Sequence, residues 1–335
     1  MDIMHLRQFI LFVIALQFGM LQGCASYVAD QIVHPEKSLA DIPAPKTFYA
    51  PLRLQNHSDC QAPCLHYVTG APLTDDDELL PLEATFAQSP MGQTLTRAPD
   101  QQHFQGTVVL IHGYTANWSW MIGWSNYFQS LGFNTVMPDL PGHGATTIDD
   151  FSFGVRDTRY LKPLLEQLDL PRPWIVVGHS MGTIVASYLA QATDASGLLL
   201  IAPSSPLSQA SVRAAQAFHP FASRLVPNRS LVAGSQQALA QLKIDDEQTD
   251  LREVLSHWSQ PTMVLNASDD EVIGNEWIKA LAQVRPYEYH QLTGNHAGIL
   301  KPSPDAKKLV LDWLSSLTLP PTPPLAPLAP AATAQ

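Results

Sequence analysis

Continuous apolar runs, each bounded by glycine or proline, set the rhythm of the chain. They are "TVVLI" (107–111), "NTVMP" (134–138) after Gly132, "WIVVG" (174–178) after a Pro-Arg-Pro breaker, "GLLLI" (197–201) and "TMVLN" (262–266). None alternates apolar with polar positions, so each predicts a strand buried on both faces, as in a parallel sheet. Helix-compatible segments lie between and after them, around 118–130, 155–168, 182–192, 275–284 and 305–317. Alternating strand and helix predicts an α/β fold with a doubly wound, mostly parallel sheet. Residues 204–258 break the rhythm. They are far too long for an ordinary connection and predict an inserted helical cap.

The ends read differently. Arg7 precedes the apolar stretch "FILFVIALQFGML", which is short for a membrane span and suits the core of an export signal over residues 1–23. Residues 24–47 lack clear periodicity and end in prolines, which predicts a tether. Residues 319–335 are rich in proline and alanine and predict a disordered tail. The folded body is therefore residues 48–318.

Composition narrows the field only slightly. With 45% hydrophobic and 15% charged residues the chain is globular, and a net charge of -11 argues against a nucleic-acid partner.

The leader ends in "LQGC", which resembles the lipobox of bacterial lipoproteins. The resemblance implies cleavage before Cys24, a lipid on its sulfur, export, and a membrane partner reached through that anchor. Ala25 in the next position suits the outer membrane if the source is Gram-negative. Cys60 and Cys64, in "DCQAPC", predict a short-loop disulfide in an oxidising compartment. A metal pair is the weaker reading, since His57 and His66 flank the cysteines without finger spacing.

The chemistry centres on "VVGHSMGTIV". Gly178-His179-Ser180-Met181-Gly182 lies between a predicted buried strand and a predicted helix, as a G-x-S-x-G nucleophile elbow requires. Such a turn lifts the serine hydroxyl clear of the sheet, beside the amides at a helix start that can stabilise an oxyanion. A serine also needs a base and an orienting acid. His290 sits inside a strand-like run. His296, in the Gly-Asn-His loop after it, lies at the C-terminal edge where such sheets build their sites. Asp269, Asp270 and Glu271 directly follow another strand, which gives the chain order Ser…Asp…His.

The motifs "LIHGYTAN" (110–117), "PDLPGHG" (138–144), "GHSMG" (178–182), "NASDDEV" (266–272) and "GNHAG" (294–298) together resemble the α/β-hydrolase superfamily. Within it, the chain is similar to serine esterases of the monoacylglycerol lipase and lysophospholipase kind. The resemblance implies Ser180 as nucleophile, His296 as general base and acid, and Asp270 as the orienting acid, because Ala267, Asp270 and Val272 fit the small-x-x-Asp-x-aliphatic loop. It implies backbone oxyanion donors at Met181 and Tyr114, ester or lipid substrates, and no metal or organic cofactor. A thioesterase or amidase on the same triad, and a non-catalytic tethered binding lipoprotein, are the alternatives. Trp118 and Trp120 are candidates for an acyl pocket, whereas Trp124 falls at core spacing with Met121, Phe128 and Leu131. In the cap, Ala215, Phe218, Phe221 and Leu225 form a stripe that suits either core or lipid. His112, His143 and His179 read as structural.

Overall fold

The computed structural model describes residues 23–35, 53–57, 63–73, 82–86, 89–93, 104–218, 226–284 and 287–317. Most of the expected leader, Cys60, residues 36–47 of the expected tether, Phe221, Leu225 and the Pro/Ala-rich tail lie outside the described residues.

An eight-stranded sheet forms the centre, with flanking helices. Its strands are β1 (Leu54–His57), β2 (Tyr67–Gly70), β5 (Thr107–Ile111), β6 (Asn134–Pro138), β7 (Trp174–His179), β8 (Gly197–Ile201), β9 (Thr262–Ala267) and β10 (Glu288–Leu292), in the order β1-β2-β6-β5-β7-β8-β9-β10. From β6 to β10 all pairings are parallel, while β2 pairs antiparallel with both neighbours. A separate hairpin joins β3 (Leu82–Phe86) to β4 (Ser89–Gln93).

The five apolar runs coincide with β5 to β9, and every residue of β5, β7, β8 and β9 is buried. Helices cover both faces, which is why these strands carry no polar alternation. The sheet carries α2 (Ile122–Ser130), α3 (Thr158–Gln167), α4 (Gly182–Ala192), α8 (Asn275–Val284) and α9 (Pro304–Ser316). Between β8 and β9 the chain inserts α5 (Leu207–Phe218), α6 (Asn228–Leu242) and the one-turn α7 (Leu251–Val254). That insertion is as helical as its length demanded.

The expected tether needs correction. Residues 23–33 are helical (α1), and Ala25, Ala29 and Ile32 are buried. Ala25, Val28, Ala29 and Ile32 recur at i, i+3, i+4 and i+7, so one face turns inward. That face lies on α6, where a Cβ built on Gly234 would come within 2.5 Å of Val28 Cβ. An eleven-residue helix is marginal alone in water, and its stability comes from this docking.

Candidate active site

β7 ends at His179 and α4 begins at Gly182, so Ser180 occupies a turn of two residues. Its φ is +53°, a left-handed conformation that costs a serine on the order of 1–3 kcal/mol. The turn closes only because its flanks lack side chains. A Cβ on Gly178 would sit 2.3 Å from the Gly182 carbonyl oxygen, and one on Gly182 would sit 2.4 Å from that of His112. The Ser180 amide donates to Ile201 O at 3.0 Å, tying the elbow to β8.

Three side chains from three strand ends meet here. His296 Nε2 lies 3.1 Å from Ser180 Oγ, and His296 Nδ1 lies 2.9 Å from Asp270 Oδ2. The Asp270 side chain is fully shielded from solvent, and its Oδ1 accepts the Val272 and Ile273 amides at 3.0 Å each. Burial pushes the Asp270 carboxyl up, but hydrogen bonding and charge from His296, with the Ile273 amide, outweigh it and hold the group below its usual range. Asp269 and Glu271 point to solvent, and the Asp269 amide donates to Gly294 O at 2.9 Å, clipping the acid loop to the histidine loop. His290 stays on β10, 3.0 Å from Glu288.

The surrounding histidines stay neutral. Burial, then the neighbouring His296, lowers His179 to about 3, and its Nε2 lies 3.1 Å from His296 O. Burial, then His112, lowers His143 to about 3; burial also lowers His112. None of these rings adds positive charge that would compete for Asp270.

Met181 directly follows Ser180 and caps the start of α4. Gly113 lies directly against the elbow, where its built Cβ would be 3.1 Å from Ser180 Cβ, and Tyr114 is the next residue of that loop. Of the tryptophans, Trp118 is buried in the core, and its backbone amide donates to Asp139 Oδ1 at 2.7 Å. Trp124 is fully buried, as its spacing predicted, and Trp120 packs partly buried against the core. Cys24 is a free, partly exposed thiol on α1, and among the described residues no helix is long and apolar enough to cross a membrane.

One buried pair escaped the sequence reading. His66 Nδ1 lies 2.6 Å from Asp139 Oδ2, and its Nε2 lies 2.7 Å from Asn56 Oδ1. Asp139 also accepts the Ala145 amide at 2.9 Å, so one carboxylate fixes both the "PGHG" turn and the Trp118 amide beyond the loop at Gly113. Only the aspartate's place in "PDLPGHG" hinted at this.

Comparison with known proteins agrees with this architecture. A model of the "Alpha/beta hydrolase family" matches residues 108–332. Phospholipase YtpA of Bacillus subtilis (strain 168) is 32% identical over 93 residues, which is 24% of this chain and 32% of that protein. The chain thus matches about a third of that relative's length. Among solved structures, the Pyrococcus furiosus esterase Pf2001 superposes with a TM-score of 0.53 at 17% identity, covering 72% of this chain and 91% of that one. That likeness is one of fold.

Proposed function

Because the chain belongs to the alpha/beta hydrolase family, we propose that it is a serine hydrolase that cleaves carboxylic esters through an acyl-enzyme. The observation that carries the reading is the unbroken relay Ser180–His296–Asp270, with links of 3.1 and 2.9 Å, raised on a strained elbow. Ser180 Oγ attacks the ester carbonyl and its proton passes to His296 Nε2. Asp270 holds the imidazole with Nδ1–H toward itself and stabilises the imidazolium. The amides of Met181 and Tyr114 receive the oxyanion, where each donor is worth about 10²–10³ in rate. Collapse expels the alcohol, which takes the proton from His296, and water then releases the acid by the same route.

Acylglycerols, lysophospholipids and short-chain esters are the substrate classes we propose, with α5 to α7 as the cap that selects among them. The partial similarity to a phospholipase supports the lipid end of that range. We further propose that the chain is exported, that Cys24 carries a lipid anchor, and that Cys60 and Cys64 form a disulfide.

Hydrolysis of p-nitrophenyl esters from acetate to palmitate, by the chain and its Ser180→Ala variant, tests the function. Turnover that depends on Ser180 is expected, with its chain-length optimum reporting the acyl class. Absence of ester turnover by the folded chain, alongside turnover of thioesters or amides, overturns the ester assignment.

A further inference from the structure

Helix α1 ends on the loop that supplies the proposed oxyanion donor. The Tyr114 hydroxyl donates to Gln31 O at 2.6 Å and lies 3.2 Å from Ile32 O. These carbonyls belong to the last turn of α1, where intrahelical partners run out. Nδ1 of His34 lies 2.9 Å from a third, Asp30 O. Tyrosine and helix end therefore complete one another. Beyond the helix, Pro35 Cγ lies 3.5 Å from a Cβ built on Gly142, so the segment also rests on the "PGHG" turn.

The loop so held is strained. Thr115, next to Tyr114, has φ +59°, a rare conformation for a β-branched residue that persists only where surroundings enforce it. Below the Tyr114 ring lie Phe151, Phe153 and His143, at centroid distances of 6.0, 6.1 and 6.1 Å. These contacts limit the ring's tilt, while the hydroxyl bonds fix its reach. The same residue thus carries the backbone amide proposed to receive the oxyanion and the side chain gripped by α1.

We propose that α1 is a positioning element of the active site: it holds the Tyr114 loop in its strained form by accepting the Tyr114 hydroxyl on its C-terminal carbonyls. This rests on the serine-hydrolase reading for its catalytic consequence and on geometry alone for its structural one. An oxyanion donor acts only when aimed before the charge develops, so loosening the loop lowers turnover and leaves ground-state ester binding nearly intact.

The test uses the full chain and three variants. Tyr114→Phe removes the hydroxyl and keeps the ring and amide. Gly234→Leu pushes α1 off α6, because its nearest neighbours are Val28 and the Ala25 carbonyl, and it replaces glycine with a better helix former. Ala29→Arg expels the helix from its own side. We expect kcat on p-nitrophenyl butyrate to fall about 3- to 10-fold in each, with KM within about twofold, the range for losing one or two such bonds. Adding Tyr114→Phe to Gly234→Leu should cause no further loss, since both cut one link. Amide exchange over residues 113–117 should accelerate in every variant.

Full kcat in a variant whose α1 has been released, losses that multiply in the double variant, or unchanged exchange at 113–117 would each overturn the inference. Should the native chain cleave no ester, the ester reading fails by itself, and exchange at 113–117 still decides whether α1 holds the loop.

Discussion

Replacing Asp270 by asparagine changes one atom, and the structure assigns a consequence to it. Oδ1 already accepts the Val272 and Ile273 amides, so the asparagine oxygen stays there and its NH₂ turns to His296. At 2.9 Å the amide donates to Nδ1, which forces the proton onto Nε2. Nε2, 3.1 Å from the nucleophile, then cannot take the serine proton. A wrong tautomer of this kind costs about 10⁴ in kcat, or roughly 5.5 kcal/mol of transition-state stabilisation. Asp269→Asn is the matched control, because that side chain faces solvent and only its backbone joins the histidine loop. Steady-state hydrolysis of p-nitrophenyl butyrate, with circular dichroism to verify folding, should find Asp269→Asn within about twofold of the native rate. A folded Asp270→Asn variant within tenfold of native, or a larger loss at Asp269, would refute the relay.

Further expectations follow from the same packing. Gly178→Ala places a Cβ 2.3 Å from the Gly182 carbonyl, so it should cost at least about 2 kcal/mol in urea denaturation and abolish esterase activity. His66→Ala removes the ring that lies 2.6 Å from buried Asp139 and 2.7 Å from Asn56, and should cost about 1–3 kcal/mol in the same assay, since two buried polar groups each lose a hydrogen-bond partner. Acid should weaken the fold: His143 and His179 bind protons at 6.5 when unfolded but only at about 3 when folded, so each lowers stability as pH falls below 6.5. The slope is up to about 1.4 kcal/mol per pH unit for each. Asp157, raised to about 7 chiefly by burial, works in the opposite sense, because its folded form keeps a proton between 3.8 and 7. Asp157→Asn should therefore steepen the loss of stability between pH 6.5 and 4; an unchanged slope would count against a protonated Asp157. Intact-mass analysis of membrane-extracted protein should find lipid on Cys24 and a two-proton deficit for Cys60 and Cys64.

The parts of the fold that were legible share a physical cause. β5 to β9 are buried on both faces, so their sequences are apolar without interruption and stand out against any background. Ser180 and Asp270 stood out because they follow β7 and β9, two of these strands, whereas His296 follows the mostly exposed β10 at the same sheet edge and was picked out by its loop position. β1 and β2 were not, because "LQNH" and "YVTG" are short, antiparallel and mixed in polarity near the sheet edge. α1 was missed for a different reason. Its buried face consists of Ala25, Ala29 and Ile32, and alanines carry almost no hydrophobic signal; the contact works through close approach to Gly234, which lies 205 residues beyond Ala29. The His66–Asp139 pair spans 73 positions, and no local pattern announces such a bond.

Ala25 is only 2% exposed, and it directly follows Cys24. Nothing slack separates the two. A helix of this length rises about 1.5 Å per residue, so the eight steps from Cys24 to Ile32 span about 12 Å. An acyl chain on Cys24 would thus hold the nucleophile's loop at a nearly constant height above the bilayer. If the proposed ester hydrolysis holds, substrate would then be met by lateral diffusion within a thin surface layer, and the rate would follow its density in that layer, not its concentration in the surrounding water.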